Sequence, residues 1–274
     1  MSFSVNTNAS AFIALQNLNS TNSQLGVVQN RINTGLAVSS AKDDGATFAI
    51  AQNLRSDLGG LNAVQSSLSR AQSTIDIGLS AAQSISDLLI DLKEKAVAAS
   101  DAGLDAASRS ALSADFTSLA NQIGTIVSSA EFNGTNIIDG TGQVSAILND
   151  TGTETFSVAA QDLSSGSGGA TSLTSTALTS ATQAASLVVE IESAITSVNS
   201  TLSSLGAAAR VLEAQQTFVT QLSDTIEAGI GNLVDADLAQ ESARLQALQV
   251  RQQLGLQALS IANQAPSAVL SLFR

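Results

Sequence analysis

Two rows of apolar residues, each repeating every seven positions, constrain this chain more than any other feature. One row is Leu54, Leu61, Leu68, Ile75, Ala82, Leu89 and Ala96; the other is Ile191, Val198, Leu205, Leu212, Val219, Ile226 and Leu233. Seven residues are close to two helical turns, so each row predicts one long α-helix with an apolar seam. With 44% of the residues hydrophobic, a given frame holds seven apolar residues by chance in roughly 0.3% of trials. Each row covers about 63 Å at 1.5 Å per residue, and the equal lengths predict side-by-side partners. In the second row Ile195, Leu202, Ala209 and Ile230 alternate with the seam as in a coiled coil, interrupted at Gln216 and Ser223. The companion row of the first is more broken: Leu58 and Leu79 are apolar, but Gln65, Gln72, Ser86 and Lys93 are not. After the polar break Ser100 to Ser108, a third piece keeps the rhythm through Leu112, Phe116, Leu119, Ile123, Ile126 and Ala130.

Composition narrows the chemistry. The chain has eight Phe but no Tyr or Trp, so thin interfaces of aliphatic residues are expected in place of a thick aromatic core. Its single proline, Pro266, leaves the helices uninterrupted. Without His or Cys there is no imidazole base, no thiol nucleophile and neither common zinc ligand, so no catalytic, cofactor or metal residue is expected. A net charge of −12 and no basic residue between Arg109 and Arg210 argue against binding nucleic acid or an anionic membrane surface. No apolar run approaches the ~18–20 residues of a membrane span. The start, MSFSVNTNAS, has neither the basic segment nor the apolar core of a secretory signal, and by itself it points to a soluble cytoplasmic protein.

Both ends read as helices. Ala11, Ala14, Leu18, Thr21, Leu25, Val28 and Ile32 are spaced by three and four, with Phe12, Ile13 and Leu15 off that seam. Toward the other end, Leu238, Leu245, Leu248, Leu256 and Leu259 fall on one side of a helix and Val250, Leu254 and Ile261 on the opposite side. Two opposed stripes need cover on both flanks, either inside a large monomer core or between neighbouring chains. The shortage of aromatics favours the second.

The middle differs. Phe132 to Gly142 has turn chemistry, and Val144–Leu148, Asn149–Gly152 and Thr153–Val158 predict a β-hairpin. Ser164 to Thr182 is rich in Ser, Thr and Gly and is expected to be an exposed loop. The fold class expected is mainly α: a long antiparallel coiled-coil helix bundle with a small β-hairpin region at its distal tip and both termini at the other end. Gly59 and Gly60 inside the first seam imply either close approach of another backbone or a bend. In SSAKDDGA (Ser39 to Ala46), Ser40 and Asp43 have the spacing of a capping box, and Asp43 and Asp44 suit a first helical turn. Adjacent residues do not share a helix face, so the pair suits a joint better than a reactive site.

Several of these stretches carry a resemblance. NTNASAFIALQNLN (Asn6 to Asn19), RINTGLAVSSAKDDGATFAIAQNL (Arg31 to Leu54), EFNGTNIIDG (Glu131 to Gly140) and the segment from Val234 to Arg274 that ends ANQAPSAVLSLFR are similar to bacterial flagellin. The resemblance implies a structural protein that forms a helical homopolymer, the flagellar filament. Residues 1–33 and 235–274 would be the two halves of an inner helix pair, with 34–46 as connector. Residues 47–131 and 183–234 would form the outer helical domain, and 132–182 the small β-hairpin and surface segment. The inner layer would be held by Leu18, Leu25, Ile32, Leu245, Leu248, Val250, Leu254, Leu256, Leu259 and Ile261, and the connector residues of note are Ser40, Lys42, Asp43 and Asp44. Export through the flagellar type III apparatus without a cleaved Sec signal is implied, with the filament cap and hook-junction proteins as further partners. An extracellular location replaces the cytoplasmic reading. Ser164, Ser165, Thr171, Ser172, Thr174 and Thr176 form a candidate segment for O-linked sugars on composition alone, and the sequence does not decide whether any is attached. The chain departs from flagellins detected by the vertebrate Toll-like receptor in having Lys93 where those have arginine, an exchange that loses a bidentate donor. A hook–filament junction protein and a non-polymerising coiled-coil scaffold are the competing readings.

Overall fold

The computed structural model describes residues 7–164, 169–173 and 177–270, with side chains described to residue 264. In chain order the elements are α1 (Ala9–Thr34), α2 (Gly45–Ala99), α3 (Ala106–Ser129), β1 (Glu131–Phe132), β2 (Thr135–Asn136), β3 (Gln143–Ile147), β4 (Thr155–Ala159), α4 (Ala181–Val234) and α5 (Leu238–Leu270). Two compact units result, one of Asp57–Asp224 and one of Met1–Ser56 with Thr225–Arg274. Their edges fall inside α2 and α4, because the near ends of those helices pack with the connectors. Among the described residues no helix is long and apolar enough to cross a membrane.

In the unit of Asp57–Asp224, the predicted seams are the buried ones. Leu61, Leu68, Ile75, Ala82, Leu89 and Ala96 of α2 are inside, as are Ile191, Val198, Leu205, Leu212 and Val219 of α4. The companion rows are not where periodicity placed them. In α2 the second buried row lies three residues beyond the first, at Val64, Ala71, Gly78, Ile85, Leu92 and Ala99, and it is unbroken. In α4, Ala194, Thr201 and Ala208 are buried, whereas Ile195, Leu202 and Ala209 are half-buried. Steps of three and of four both flank a seam, and only the position of the partner helix decides which flank is covered. Helix α3 follows the same rule, burying Phe116, Ala120, Ile123 and Val127.

Three polar pairs fix the α2–α4 alignment. Gln65 Nε2 donates to Thr220 Oγ1 at 3.2 Å, Gln216 Nε2 donates to Ser69 Oγ at 3.1 Å, and Lys93 Nζ lies 2.8 Å from Glu192 Oε1. The paired residue numbers add to 285 each time, so one antiparallel register holds along the bundle. Helix α2 ends where Arg109 folds back, its Nε donating to the Ala99 carbonyl at 3.1 Å. Asp105 then caps α3 by accepting from the Ser108 amide at 2.8 Å.

The β region packs along the flank of α2. β1 and β2 form a tight hairpin whose turn, Asn133 (φ 50°) and Gly134 (φ 79°), has the left-handed pair that Asn-Gly supplies readily. β3 and β4 pair antiparallel from Gln143↔Ala159 to Ile147↔Thr155, and the Ile147 amide donates to Ser67 Oγ of α2 at 3.2 Å. Of the two adjacent glycines, Gly60 has the close neighbour: a Cβ there would lie 2.8 Å from Asp150 Cβ, while Gly59 faces open space. Gly78 makes room in the same way for Ile137, which is fully buried.

Among the described residues, the segment after β4 does not read as a freely exposed loop. Leu163 and Leu178 are fully buried, and Thr171 is 1% exposed with its hydroxyl donating to the Leu163 carbonyl at 2.8 Å. Its few apolar residues are enough to seat it on the bundle, which composition averaged over the segment conceals. The loop also ends earlier than expected, since Ser180 Oγ accepts from the Gln183 amide at 3.2 Å and α4 begins at Ala181.

Candidate functional site

The second unit contains the residues singled out at the chain ends. Helices α1 and α5 lie antiparallel, and α1 uses the seam that its three-and-four spacing predicts: Leu18 and Val28 are buried, and Ala11, Ala14, Thr21, Leu25 and Ile32 are half-buried. Helix α5 presents Glu241, Leu245, Leu248, Gln252, Gly255, Leu259 and Ala262, also spaced by four and three. Leu18, Leu25, Ile32, Leu245, Leu248 and Leu259 therefore come together. Leu256 does not join them as expected; it is 54% exposed, and Gly255 holds the inward place with an added Cβ only 3.3 Å from Leu18 Cδ1. Reading apolar residues alone missed Gln252 and Gly255. The unbroken spacing through them was the available signal.

Polar contacts tie the pair along its length. Asn8 caps α1 by accepting from the Ala11 amide at 3.1 Å and donates its Nδ2 to the Ala262 carbonyl at 2.7 Å. Gln252 Nε2 donates to Asn22 Oδ1 at 2.8 Å. Arg31 Nη1 donates to Glu241 Oε1 at 3.0 Å, with Glu241 6% exposed. None of these partners was foreseen.

The other sides of both helices are bare. On α1, Phe12 (65%), Ile13 (59%), Leu15 and Val27 face outward; on α5, Leu238, Val250, Leu254, Leu256 and Ile261 (70%) do so. Single exposed apolar residues are ordinary on a protein surface, but nine among the described residues of one helix pair exceed that background. Val250, Leu254 and Ile261 form the stripe opposite the covered one, as the sequence predicts.

The connectors brace each other. Gly35 ends α1 in the left-handed conformation (φ 73°). Beyond it the Ala37 amide donates to the Val234 carbonyl at 2.7 Å, and the Ala236 amide to the Gly35 carbonyl at 2.9 Å. Ala51, Ile230 and Val234 form a small core there, packed by Leu36, Val38, Leu54 and Ile226. Leu233, the last member of the α4 row, is 40% exposed, because Val234 takes the inward position.

Within SSAKDDGA the two aspartates do separate jobs. Asp43 Oδ2 accepts from the amides and hydroxyls of both Ser39 and Ser40 at 3.0–3.1 Å, closing a turn. Asp44 Oδ1 accepts from the Ala46 amide at 3.0 Å and the Thr47 amide at 3.2 Å, which makes it the cap of α2. The expected placement of both in the first helical turn is thus corrected: they precede it, since the Ser40 turn closes before α2 starts at Gly45. The Ser39 and Ser40 hydroxyls hold the Asp43 carboxyl below the usual carboxylate range, and the Thr47 hydroxyl and amide do so for Asp44. Lys42 is exposed on the turn.

Of the residues considered for sugar attachment, Ser164 and Ser172 are half-buried, and Ser165, Thr174 and Thr176 lie outside the described residues. Thr171 is withdrawn, because its hydroxyl is buried and already donates to Leu163.

Comparison with known proteins agrees across nearly the whole chain. The bacterial flagellin N-terminal helical region matches residues 5–143, and the C-terminal helical region matches residues 188–273. Flagellin FljM of Caulobacter vibrioides is 51% identical over 99% of this chain and 98% of that protein. A flagellin of Brucella melitensis is 37% identical over 99% of both. Among solved structures, a Bacillus cereus flagellin aligns with a TM-score of 0.52 at 24% identity, over 60% of this chain and 94% of that one. A putative flagellar hook-associated protein from Vibrio parahaemolyticus aligns with a TM-score of 0.56 at 13% identity, over 70% and 100%. At these identities the two structures speak for the fold alone.

Proposed function

Since the chain belongs to the bacterial flagellin family, we propose that its α1–α5 pair is the element through which copies assemble. The protein is a structural subunit of the flagellar filament, not an enzyme, and it acts outside the cell. The finer assignment places residues 1–33 and 235–274 in an inner layer, with 34–46 as connector. Residues 47–131 and 183–234 form the next layer, and 132–182 faces solvent. Export through the type III apparatus without a cleaved Sec signal, addition beneath a cap and contact with hook-junction proteins belong to the same proposal.

One observation carries it: the outward stripes of α1 and α5 leave Phe12, Ile13, Val250, Leu254 and Ile261 more than half exposed. Neither helix can cover both of its own flanks. A head-to-tail contact that does not close gives a helical filament, and the cost of ordering the ends is then met by contacts with sister chains. Truncation after Ala236 tests this, since it removes α5 but keeps Val234 in the connector core. Soluble monomers that never seed filaments are expected; normal filaments from the truncated chain would refute the proposal. The junction-protein reading is separated by electron microscopy after salt-induced assembly, which yields long filaments for a flagellin and none for a junction protein.

A further inference from the structure

The net charge of −12 is not shared between the two units. Residues 57–224 hold seventeen acidic and five basic residues, so all of it sits in the unit of Asp57–Asp224. The unit of the chain ends holds six of each and is neutral. The apolar stripes of α1 and α5 belong to that neutral unit, so the surfaces offered to a sister chain there carry little net repulsion.

In the charged unit the acids are exposed and dispersed. Asp76, Asp87 and Glu94 lie on α2, Asp115 on α3, Glu154 beside β4 and Glu213 on α4. Two of the five basic side chains are already engaged: Lys93 is paired with Glu192, and Arg109 donates to the Ala99 and Asp101 carbonyls. A sister copy approaching this unit therefore meets charge of its own sign. Range then decides the effect. A helix with its side chains is about 10–12 Å across, whereas the Debye length is about 30 Å at 0.01 M salt and about 10 Å at 0.1 M. Copies packed side by side feel one another's charge in dilute salt and are largely screened at moderate salt. We infer that ionic strength regulates assembly through the unit of Asp57–Asp224. Like charge on sister copies of that unit opposes their approach until salt screens it, and the neutral unit of the chain ends supplies the attraction. This rests on the reading of the α1–α5 pair as the assembly element.

The test reads the free-subunit concentration in equilibrium with filament for full-length chains at pH 7, by sedimentation in about 10 mM and about 100 mM NaCl. Sulfate and phosphate are left out, because they also strengthen apolar burial. For the native chain the concentration should fall by at least about tenfold between the two conditions. No fall, or a rise, overturns the inference. Two variants then reach the same net charge, about −8 from −12, by different routes. Asp87→Asn, Glu94→Gln, Asp115→Asn and Glu213→Gln together remove four charges from the charged unit. Glu227→Lys with Asp235→Lys reverses two exposed acids of the neutral one. Repulsion between like units scales with the product of their charges, so the first variant should keep about 0.4 of the native logarithm, a fall of about threefold. The second should keep the fall of about tenfold. Equal responses from the two would make total charge, and not its location, decisive, and overturn the inference. If the lysine variant does not polymerise, Glu227→Gln with Asp235→Asn replaces it; there about tenfold supports the inference and about fivefold or less overturns it. Absence of filaments from the native chain at either salt concentration counts instead against the proposed function.

Discussion

Replacing Val250, Leu254 and Ile261 together by serine isolates the bare stripe of α5 from everything else the helix does. These residues are 56%, 57% and 70% exposed, so their contacts within the chain are few and the fold of either unit should survive. Full burial of such a side chain is worth about 1.5–3 kcal/mol, and the exposed fraction leaves roughly 1–1.5 kcal/mol each for a sister chain to recover. Three sites then give about 3–4 kcal/mol per subunit added. At 1.4 kcal/mol per power of ten, the concentration of free subunit in equilibrium with filament should rise by about two to three orders of magnitude. Sedimentation of filaments over a dilution series measures it. Serine is a weaker helix former than leucine and glutamine and about equal to valine and isoleucine, so Gln246→Ser, Gln249→Ser and Gln253→Ser, all exposed on the same helix, serve as a control that loses at least as much helix propensity. An equal rise in both triple variants, or a rise under about threefold in the first, would refute the reasoning that the bare stripe drives assembly.

Gly78→Ala should destabilise the helical bundle by about 1–3 kcal/mol, because the added Cβ would overlap Ile137 Cγ2 in a packed interior; a thermal melt that does not shift downward contradicts this. The Asp43 and Asp44 carboxyls lie below their ordinary value, so the stability they lend the connector turn is complete above the unfolded-state value near ~4. It is lost as pH falls through the folded-state value. Protection of the Ser39, Ser40, Ala46 and Thr47 amides, taken relative to their intrinsic exchange rates at each pH, should therefore fall on acidification below about pH 4, ahead of amides in the bundle. Glycan mapping of native material should find Thr171 unmodified whatever its neighbours carry, because its hydroxyl is enclosed and donates to Leu163.

The seven-residue rows could be read directly because the helical repeat is a local property: Leu61 to Ala96 of the α2 row and Ile191 to Val219 of the α4 row are buried, and the seam of α1 is buried or half-buried throughout. The β3–β4 hairpin was legible for the same reason, its alternation and Asn-Asp-Thr-Gly turn being complete within one stretch. The two-sided character of α5 was legible as well.

Tertiary structure decided everything that depends on what arrives from elsewhere. Whether a helix covers the flank three or four residues beyond its seam depends on where its partner lies, so Ala71 and Ile85 are buried while Gln65 is not. Gly78 is small because Ile137 comes to it, and Thr171 is buried with its hydroxyl on the Leu163 carbonyl eight positions earlier. Glu241 finds its partner 210 positions away, at Arg31. Periodicity records how a chain turns on its own axis and carries no information about the neighbour, so a two-striped helix such as α5 can be recognised from sequence while the choice of Gly255 over Leu256 as the inward residue cannot.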